Sequence, residues 1–363
     1  MNNNDIFKDL FVLEMTNNHL GSLKRGMKIV DEFAKVALFN NVKVAIKLQF
    51  RNVKSFIHKD YIDRTDIRYI KRTKETYLSD ENYEKLVNHI KRSGLIPMAT
   101  PFDEESVDFC NKLNLSIIKV ASADSNDWIL LNKIVQLRKP TIVSLGGLSI
   151  KDIDDLVTFF ERRNVPLAMN HCIATYPNKE KDLQLNQIDF LKNRYPNSII
   201  GFSTHEQGDS YDSMLISYSK GARMFEKHID IKEKDIEISK YSSTPEEIDS
   251  WFKSCNKVKI MCGTSGLERI ISIKEEKDFL DNYTRGVYFK NDVKSGSKIT
   301  NDDIYLAIPV HKGQISVREL MLGEYGFTLK KDCKKDEKLM IDDIHSEYST
   351  NEKMKKFINE RGI

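Results

Sequence analysis

The chain has 363 residues, 40% of them hydrophobic and 31% charged, and 57 Lys and Arg nearly balance 54 Asp and Glu. That length favours two domains over one packed core, and a net charge of +3 excludes a dedicated nucleic-acid binder, which needs clustered positive charge to release phosphate counterions. No apolar run reaches membrane-spanning length, the start lacks the pattern of a signal peptide, and the five cysteines never occur as Cys-x-x-Cys; a reducing cytoplasm is therefore expected, without membrane contact or a disulfide framework.

In chain order, short apolar runs rich in β-branched residues alternate with helical periodicities. Phe11–Glu14 is followed by Leu23, Met27, Val30, Phe33, Ala34 and Ala37, spaced as one helix face. Val42–Gln49 leads into Arg51–Asp80, a charged segment longer than a normal strand-to-helix loop and suited to covering a site. Ile96–Thr100 precedes a helix over Glu104–Leu113, then come Ser116–Ala121 and Thr141–Leu145, with a helix over Ile153–Phe160. Leu167–His171, Ile199–Ser203, a helix over Asp209–Ser219 and Ala222–His228 complete the series. Eight such units predict a (β/α)8 TIM barrel over residues 1–262. A doubly wound sheet is the competitor, but no Gly-x-Gly-x-x-Gly follows any run. Residues 263–284 read as a linker, 285–347 as a small mostly β domain with Gly-bearing turns, and 348–363 as a helix or frayed tail.

Strand carboxyl ends in a parallel barrel converge on one face. Here they offer Glu14 with Asn17, Asn18 and His19 beyond it, then Lys47 and Gln49, Thr100, and Lys119 with Ser122 and Asp124. Ser144, His171 with Tyr176, Ser203 with His205, and Glu226 with His228 follow. Two lysines among small hydroxyls suit a phosphate or carboxylate, since ammonium and hydroxyl donors satisfy anionic oxygens. His205 and His228, from neighbouring strand ends, can share one divalent metal, although spacing alone leaves this open. Glu226, two residues before His228, shares its face and could join the metal or orient a metal-bound water. Taken singly, each residue has a plainer reading: a lone Lys is solvated, a lone Ser or Thr caps backbone groups, and His171 reads as a hydrogen-bonded core residue. His58, His89, His311 and His345 read as surface residues.

These motifs resemble those of a known family. Glu14-Met-Thr-Asn-Asn-His-Leu-Gly-Ser22 is similar to the opening Glu-x-x-x-Asn-His-x-Gly-Ser signature of the sialic acid (N-acetylneuraminate) synthases. The likeness continues through Lys47-Leu-Gln49, Ala99-Thr-Pro-Phe102, Ile118-Lys-Val-Ala-Ser122, Lys139-Pro-Thr-Ile-Val-Ser144, Thr175-Tyr-Pro177, Gly201-Phe-Ser-Thr-His205 and Phe225-Glu-Lys-His228. Arg285–Ile344 resembles the small antifreeze-like (SAF) domain that follows the barrel in that family. The resemblance implies a carbon–carbon bond-forming transferase. It would condense phosphoenolpyruvate with a sugar aldehyde into a nonulosonic 2-keto acid for surface polysaccharide or glycan precursors, with C–O cleavage and phosphate release.

It also implies a divalent metal, manganese or else magnesium, on His205 and His228. Lys47, Thr100, Lys119, Ser122, Ser144 and Ser203 would hold phosphoenolpyruvate. Glu14, Gln49, Tyr176 and Glu226 would have catalytic roles; the candidates for the sugar side in this sequence are Asn18, Asp124, Glu237 and Lys240. A domain-swapped homodimer is expected, the small domain covering the partner's barrel mouth. Departures fall mainly on the sugar side: Ala174 replaces an Asn, Ile238 an acid and Ile308 an Arg. The aldehyde is accordingly expected to differ from N-acetylmannosamine. Two alternatives remain: a catalytically silent sugar- or phosphate-binding relative, and an aldolase-type barrel using a pyruvyl donor.

Overall fold

The computed structural model describes residues 5–208, 210–264, 266, 268–270, 273–323 and 326–363. They form two compact units, divided between Gly263 and Thr264.

The first unit contains strands β1 (Leu10–Glu14), β2 (Lys43–Phe50), β3 (Ile96–Pro101), β4 (Ile117–Val120), β5 (Thr141–Ser144), β6 (Leu167–Cys172), β7 (Ile199–Thr204) and β8 (Met224–Ile229). Each pairs in parallel with the next, and β1 pairs again with β8, closing a (β/α)8 barrel as the alternation predicts. Helices α1 (Leu23–Asn40), α2 (Asp80–Arg92), α3 (Glu104–Lys112), α4 (Trp128–Gln136), α5 (Ile150–Glu161), α6 (Asn186–Arg194), α7 (Tyr211–Lys220) and α8 (Pro245–Cys262) lie between and after the strands. The helix expected from Asp209 begins at Tyr211; Asp209 itself lies outside the described residues. The long segment after β2 is not a bare loop: it carries short helical pieces at Val53–Phe56, Lys59–Tyr61 and Arg68–Glu75.

Side-chain alternation sorts the barrel into layers. One parity of each strand, including Phe11, Leu13, Ile46, Leu48, Ile118, Val120 and Val143, packs outward against buried helix faces such as Ile29, Val30 and Phe33 of α1. The opposite parity fills the barrel, with Leu10, Val12, Ala45, Met98, Ile117, Ile142, Ala168 and Met224 forming an apolar floor. The next inward positions are polar: Glu14, Lys47, Thr100, Lys119, Ser144, Asn170, Ser203 and Glu226, all buried. Helix ends are fixed locally. Ser22 caps α1, and Thr244 with Glu247 forms a capping box at α8 with Pro245 in its first turn.

The second unit has its own core of Val287, Phe289, Ile304, Ile315, Phe327, Leu329, Leu339, Ile341 and Ile344. Strands Gly286–Phe289 and Ile304–Ala307 pair antiparallel, as do Thr328–Leu329 and Ile344–His345. Within the expected linker a helix runs from Lys274 to Asp281, and the expected tail forms a helix, Glu352–Glu360, whose Ile358 joins this core. The Arg361 guanidinium grips Glu319 with two hydrogen bonds of 2.8 and 2.9 Å, anchoring the chain end. Among the described residues no helix is long and apolar enough to cross a membrane.

Candidate functional site

Strand register brings the polar layer together. Glu14 lies level with Lys47 on one side and His228 on the other, Gln49 with Thr100, Ser144 with Asn170, and Ser203 with Glu226. The Lys47 ammonium sits between two carboxylates, 2.6 Å from Glu14 Oε2 and 2.7 Å from Glu226 Oε1. Glu226 accepts further from Asn170 Nδ2 at 3.1 Å and Ser203 Oγ at 3.3 Å, while Lys119 Nζ is 3.8 Å away. Lys119 donates to Ser144 Oγ at 2.6 Å and to the Val120 carbonyl at 3.0 Å. Gln49 Nε2 donates to Glu14 Oε1 at 2.9 Å.

Burial works against each of these charges, and pairing decides the outcome. It would raise the Glu14 carboxyl, yet Lys47, His228 and Lys119 hold it well below the usual carboxylate range. It would lower the Lys47 ammonium, yet Glu14 and Glu226 push it up. Lys119 remains lowered, because burial and the neighbouring Lys47 outweigh Glu226 and Glu14. Two ammonium groups and two carboxylates thus form a charge-balanced layer over the apolar floor.

Above it stand the imidazoles, with ring centroids 5.2 Å apart. Burial, then the charge of His228, drives His205 down to about 3; burial drives His228 down to about 4. Both are neutral near pH 7. His205 Nδ1 lies 3.2 Å from the Ile173 carbonyl oxygen, so it donates there and leaves Nε2 as an acceptor. His228 Nδ1 is buried without a partner, and its Nε2 is 3.7 Å from Glu14 Oε2. Neutral imidazoles beside a carboxylate form a donor set that fits a divalent cation. Tyr176 packs 4.1 Å from the His205 ring, with Tyr241 5.2 Å from Tyr176 and 5.0 Å from His228. Among the described residues, the group of three metal-type ligand atoms within 4.8 Å of one another lies elsewhere, at Cys333, Glu337 and Asp343. There the Lys331 ammonium already sits 2.9 Å from Asp343 and 3.2 Å from Glu337.

Thr100 Oγ1 and Asn170 Oδ1 are likewise buried and unpartnered, a cost of about 1–3 kcal/mol each that a bound ligand can offset. Gly201 makes room for Asn170: a Cβ there would lie 2.2 Å from Asn170 Oδ1. Ser122, just past β4, is half-buried with its Oγ 3.9 Å from Cys172 Sγ. Lys47, Thr100, Lys119, Ser122, Ser144, Ser203, Glu14, Gln49, Glu226, Tyr176, His205 and His228 therefore share one mouth.

The residues expected on the sugar side diverge. Asp124 is half-buried at the rim, where burial pushes its carboxyl up to about 6 against the pull of Arg51. Asn18 is committed to structure, donating to the Ile229 carbonyl at 2.8 Å. Glu237 and Lys240 are exposed, as is Ala174; Ile238 is half-buried, and Ile308, in the second unit, is exposed. His171 points outward, stacked on Phe202 with Nε2 2.7 Å from the Leu183 carbonyl oxygen, matching its core reading.

Four contributors escaped the sequence reading. Asn170 was legible, since period two from Ala168 turns it inward; Arg51 continues the Lys47, Gln49 alternation in the same way. Tyr241 and Arg25 carried no such signal. Arg25, on α1, is buried and hydrogen-bonds the Asn18 carbonyl at 2.7 Å, Asp230 at 2.6 Å and Glu233, tying the segment after β8 to the one after β1.

The chain is similar to proteins of known family. Residues 36–266 match the NeuB family. An uncharacterized protein of Methanocaldococcus jannaschii is 28% identical over 90% of this chain and 92% of its own length. Pseudaminic acid synthase of Campylobacter jejuni is 25% identical over 82% of this chain and 86% of its own. Among solved structures, a protein of Chromobacterium violaceum described as spore coat polysaccharide biosynthesis protein E superposes with a TM-score of 0.89 at 34% identity, covering 93% of this chain and 100% of its own.

Proposed function

The chain belongs to the NeuB family and is a synthase of the carbon–carbon bond-forming type, and we propose that it condenses phosphoenolpyruvate with a sugar aldehyde to a nonulosonic 2-keto acid. The observation that carries this reading is the buried polar layer in which Lys47 and Lys119 lie among Ser144, Ser203 and the unpartnered Thr100 hydroxyl, directly beneath a pair of neutral imidazoles. Lys119, Ser144, Ser122 and Ser203 would take the phosphate, and Lys47 and Thr100 the carboxylate. Because Glu14 and Glu226 already balance the two lysines, binding such an anion calls for added positive charge. His205 and His228, with Glu14 near, would hold a divalent metal, manganese or magnesium, which supplies Lewis-acid polarisation of the aldehyde carbonyl.

The enol carbon of phosphoenolpyruvate attacks the aldehyde carbon, and positive charge builds at C2, where the Glu14 carboxylate can stabilise it. Water adds to C2, and the resulting tetrahedral intermediate breaks its C–O bond to release phosphate. The chain's share is positioning: ammonium groups and hydroxyls fixed by strand register hold the donor, while Gln49 and Tyr176 bound the space above it. By the same likeness, the second unit is read as an antifreeze-like domain covering a partner barrel in a homodimer, which sedimentation analysis tests.

The decisive experiment is phosphate release from phosphoenolpyruvate with manganese across six- to eight-carbon aldehydes. Aldehyde-dependent release with a matching 2-keto acid supports the reading. Calorimetric binding of phosphoenolpyruvate without phosphate release in the presence of any aldehyde supports instead the silent relative suggested by Ala174, Ile238 and Ile308, and a 2-keto acid formed only when pyruvate replaces phosphoenolpyruvate points to the pyruvyl-donor aldolase.

A further inference from the structure

Lys47, Gln49 and Arg51 alternate along one side of β2 and its extension, so their side chains climb the barrel interior in steps. At about 3.3 Å per residue, the Arg51 backbone lies roughly 13 Å along the tilted strand from that of Lys47. Gln49, hydrogen-bonded both to Arg51 and to Glu14, stands between the guanidinium and the Lys47 layer, so Arg51 faces the far end of a sugar aldehyde rather than phosphoenolpyruvate held at Lys47 and Lys119.

Among the described residues, the Arg51 guanidinium is held and only partly used. Its carbon lies 3.7 Å from the centre of the Phe102 ring and 5.8 Å from that of Phe56. Its hydrogen bond, from Nη2 to Gln49 Oε1 at 3.0 Å, goes to a neutral amide rather than a carboxylate. Gln49 passes the contact down to Glu14 and so to Lys47, so the rim is coupled to the charged layer. A second guanidinium, the half-buried Arg72 of the Arg68–Glu75 helix, adds positive charge felt at Arg51. Across the rim Asp124 is the opposing charge, and its Oδ2 is buried without a hydrogen-bond partner. Glu14, below, is the second carboxylate whose charge reaches Arg51, and Asp127 stands near Asp124. Planar N–H forks stacked on aromatic rings are preorganised for bidentate contact with oxyanions.

We propose that Arg51 is a specificity-determining residue that selects an aldehyde bearing an anionic oxygen group, a phosphate or a carboxylate, at the end remote from its carbonyl. The proposal rests on the condensation reading for the role of the bound sugar. The test compares kcat/KM for N-acetylmannosamine, its 6-phosphate and an amino-sugar aldehyde ending in a carboxylate. One charge-assisted contact predicts a preference of roughly 10- to 100-fold for one of the two anionic aldehydes over the neutral one, and which of them is preferred identifies the group. Arg51→Met should collapse that ratio through KM, and Arg51→Lys should restore part of it. A ratio near unity in the native enzyme, or one that Arg51→Met leaves unchanged, overturns the proposal.

Calorimetry with the same three sugars reads Arg51 without turnover. Tighter binding of an anionic sugar that is lost in Arg51→Met upholds the assignment even if no phosphate is released, a result that would sink only the condensation chemistry. Anionic sugars binding no better than the neutral one overturn the assignment while leaving that chemistry standing.

Discussion

Lys47 shows how much of the mouth depends on one side chain. It is 3% exposed and is the shared counter-charge of Glu14 and Glu226. Removing it leaves two buried carboxylates facing each other, so Lys47→Met should cost about 3–5 kcal/mol in urea denaturation. Lys47→Met with Glu226→Gln should recover part of that stability without recovering phosphate release, because the ammonium proposed to anchor the donor is gone. A full loss of stability in the double variant would show that the carboxylate pair is not the cause. His19 gives an acid signature apart from the imidazole pair. Burial holds its imidazole at about 4, below the ordinary 6.5, and its Nε2 has no partner. Between those values the unfolded chain binds the proton and the folded chain does not, so this contribution rises with pH up to 6.5 and is lost as pH falls toward 4. His19→Gln should flatten that limb of the stability profile by up to about 1.4 kcal/mol per pH unit. An unchanged slope would place the acid sensitivity elsewhere.

Between elements, the Arg25 clamp does for the loops what register does for the strands. Its guanidinium joins α1 to the segment after β8, the stretch that carries Tyr241 to the imidazole pair. Asp230, buried beside it, has its carboxyl pushed up by burial, with the Ile231 amide and Arg25 pulling the other way. Arg25→Ala should therefore destabilise the barrel by about 3 kcal/mol, and hydrogen exchange should accelerate selectively over residues 229–243. Uniform exchange across the barrel would argue against a local clamp. At this scale the eight strands were legible because their residues are nearly continuous apolar runs ending in polar tips. Helices α2, α4, α6 and α8 were not drawn out, although α8 buries Ile248, Trp251, Phe252, Cys255 and Val258 on a regular face. In α6 the signal is faint, with only Ile188 and Leu191 buried.

For the whole molecule, two separate cores predict two partly independent stabilities. A chain ending at Gly263 should keep one cooperative thermal transition, since the barrel core draws on no residue beyond Cys255. Arg361→Met should lower the stability of the second unit, because it frees the buried Glu319 and the terminal helix of that unit's own core. Differential scanning calorimetry separates the two, and a shift of both transitions together would refute independent folding.

The order of runs and the polar residues at their ends determined the barrel and nominated most of the mouth, because both depend on local periodicity that a linear chain displays directly. Which groups neutralise which was decided only in three dimensions. Lys47 meets Glu14 and Glu226, Asn170 rather than His171 turns inward, and Arg25 binds segments more than 200 residues away, since closure of β8 on β1 joins the first and last strands of the barrel, which no spacing rule connects. Charge pairing and desolvation follow from that closure, and with them the protonation states on which any chemistry at this mouth depends.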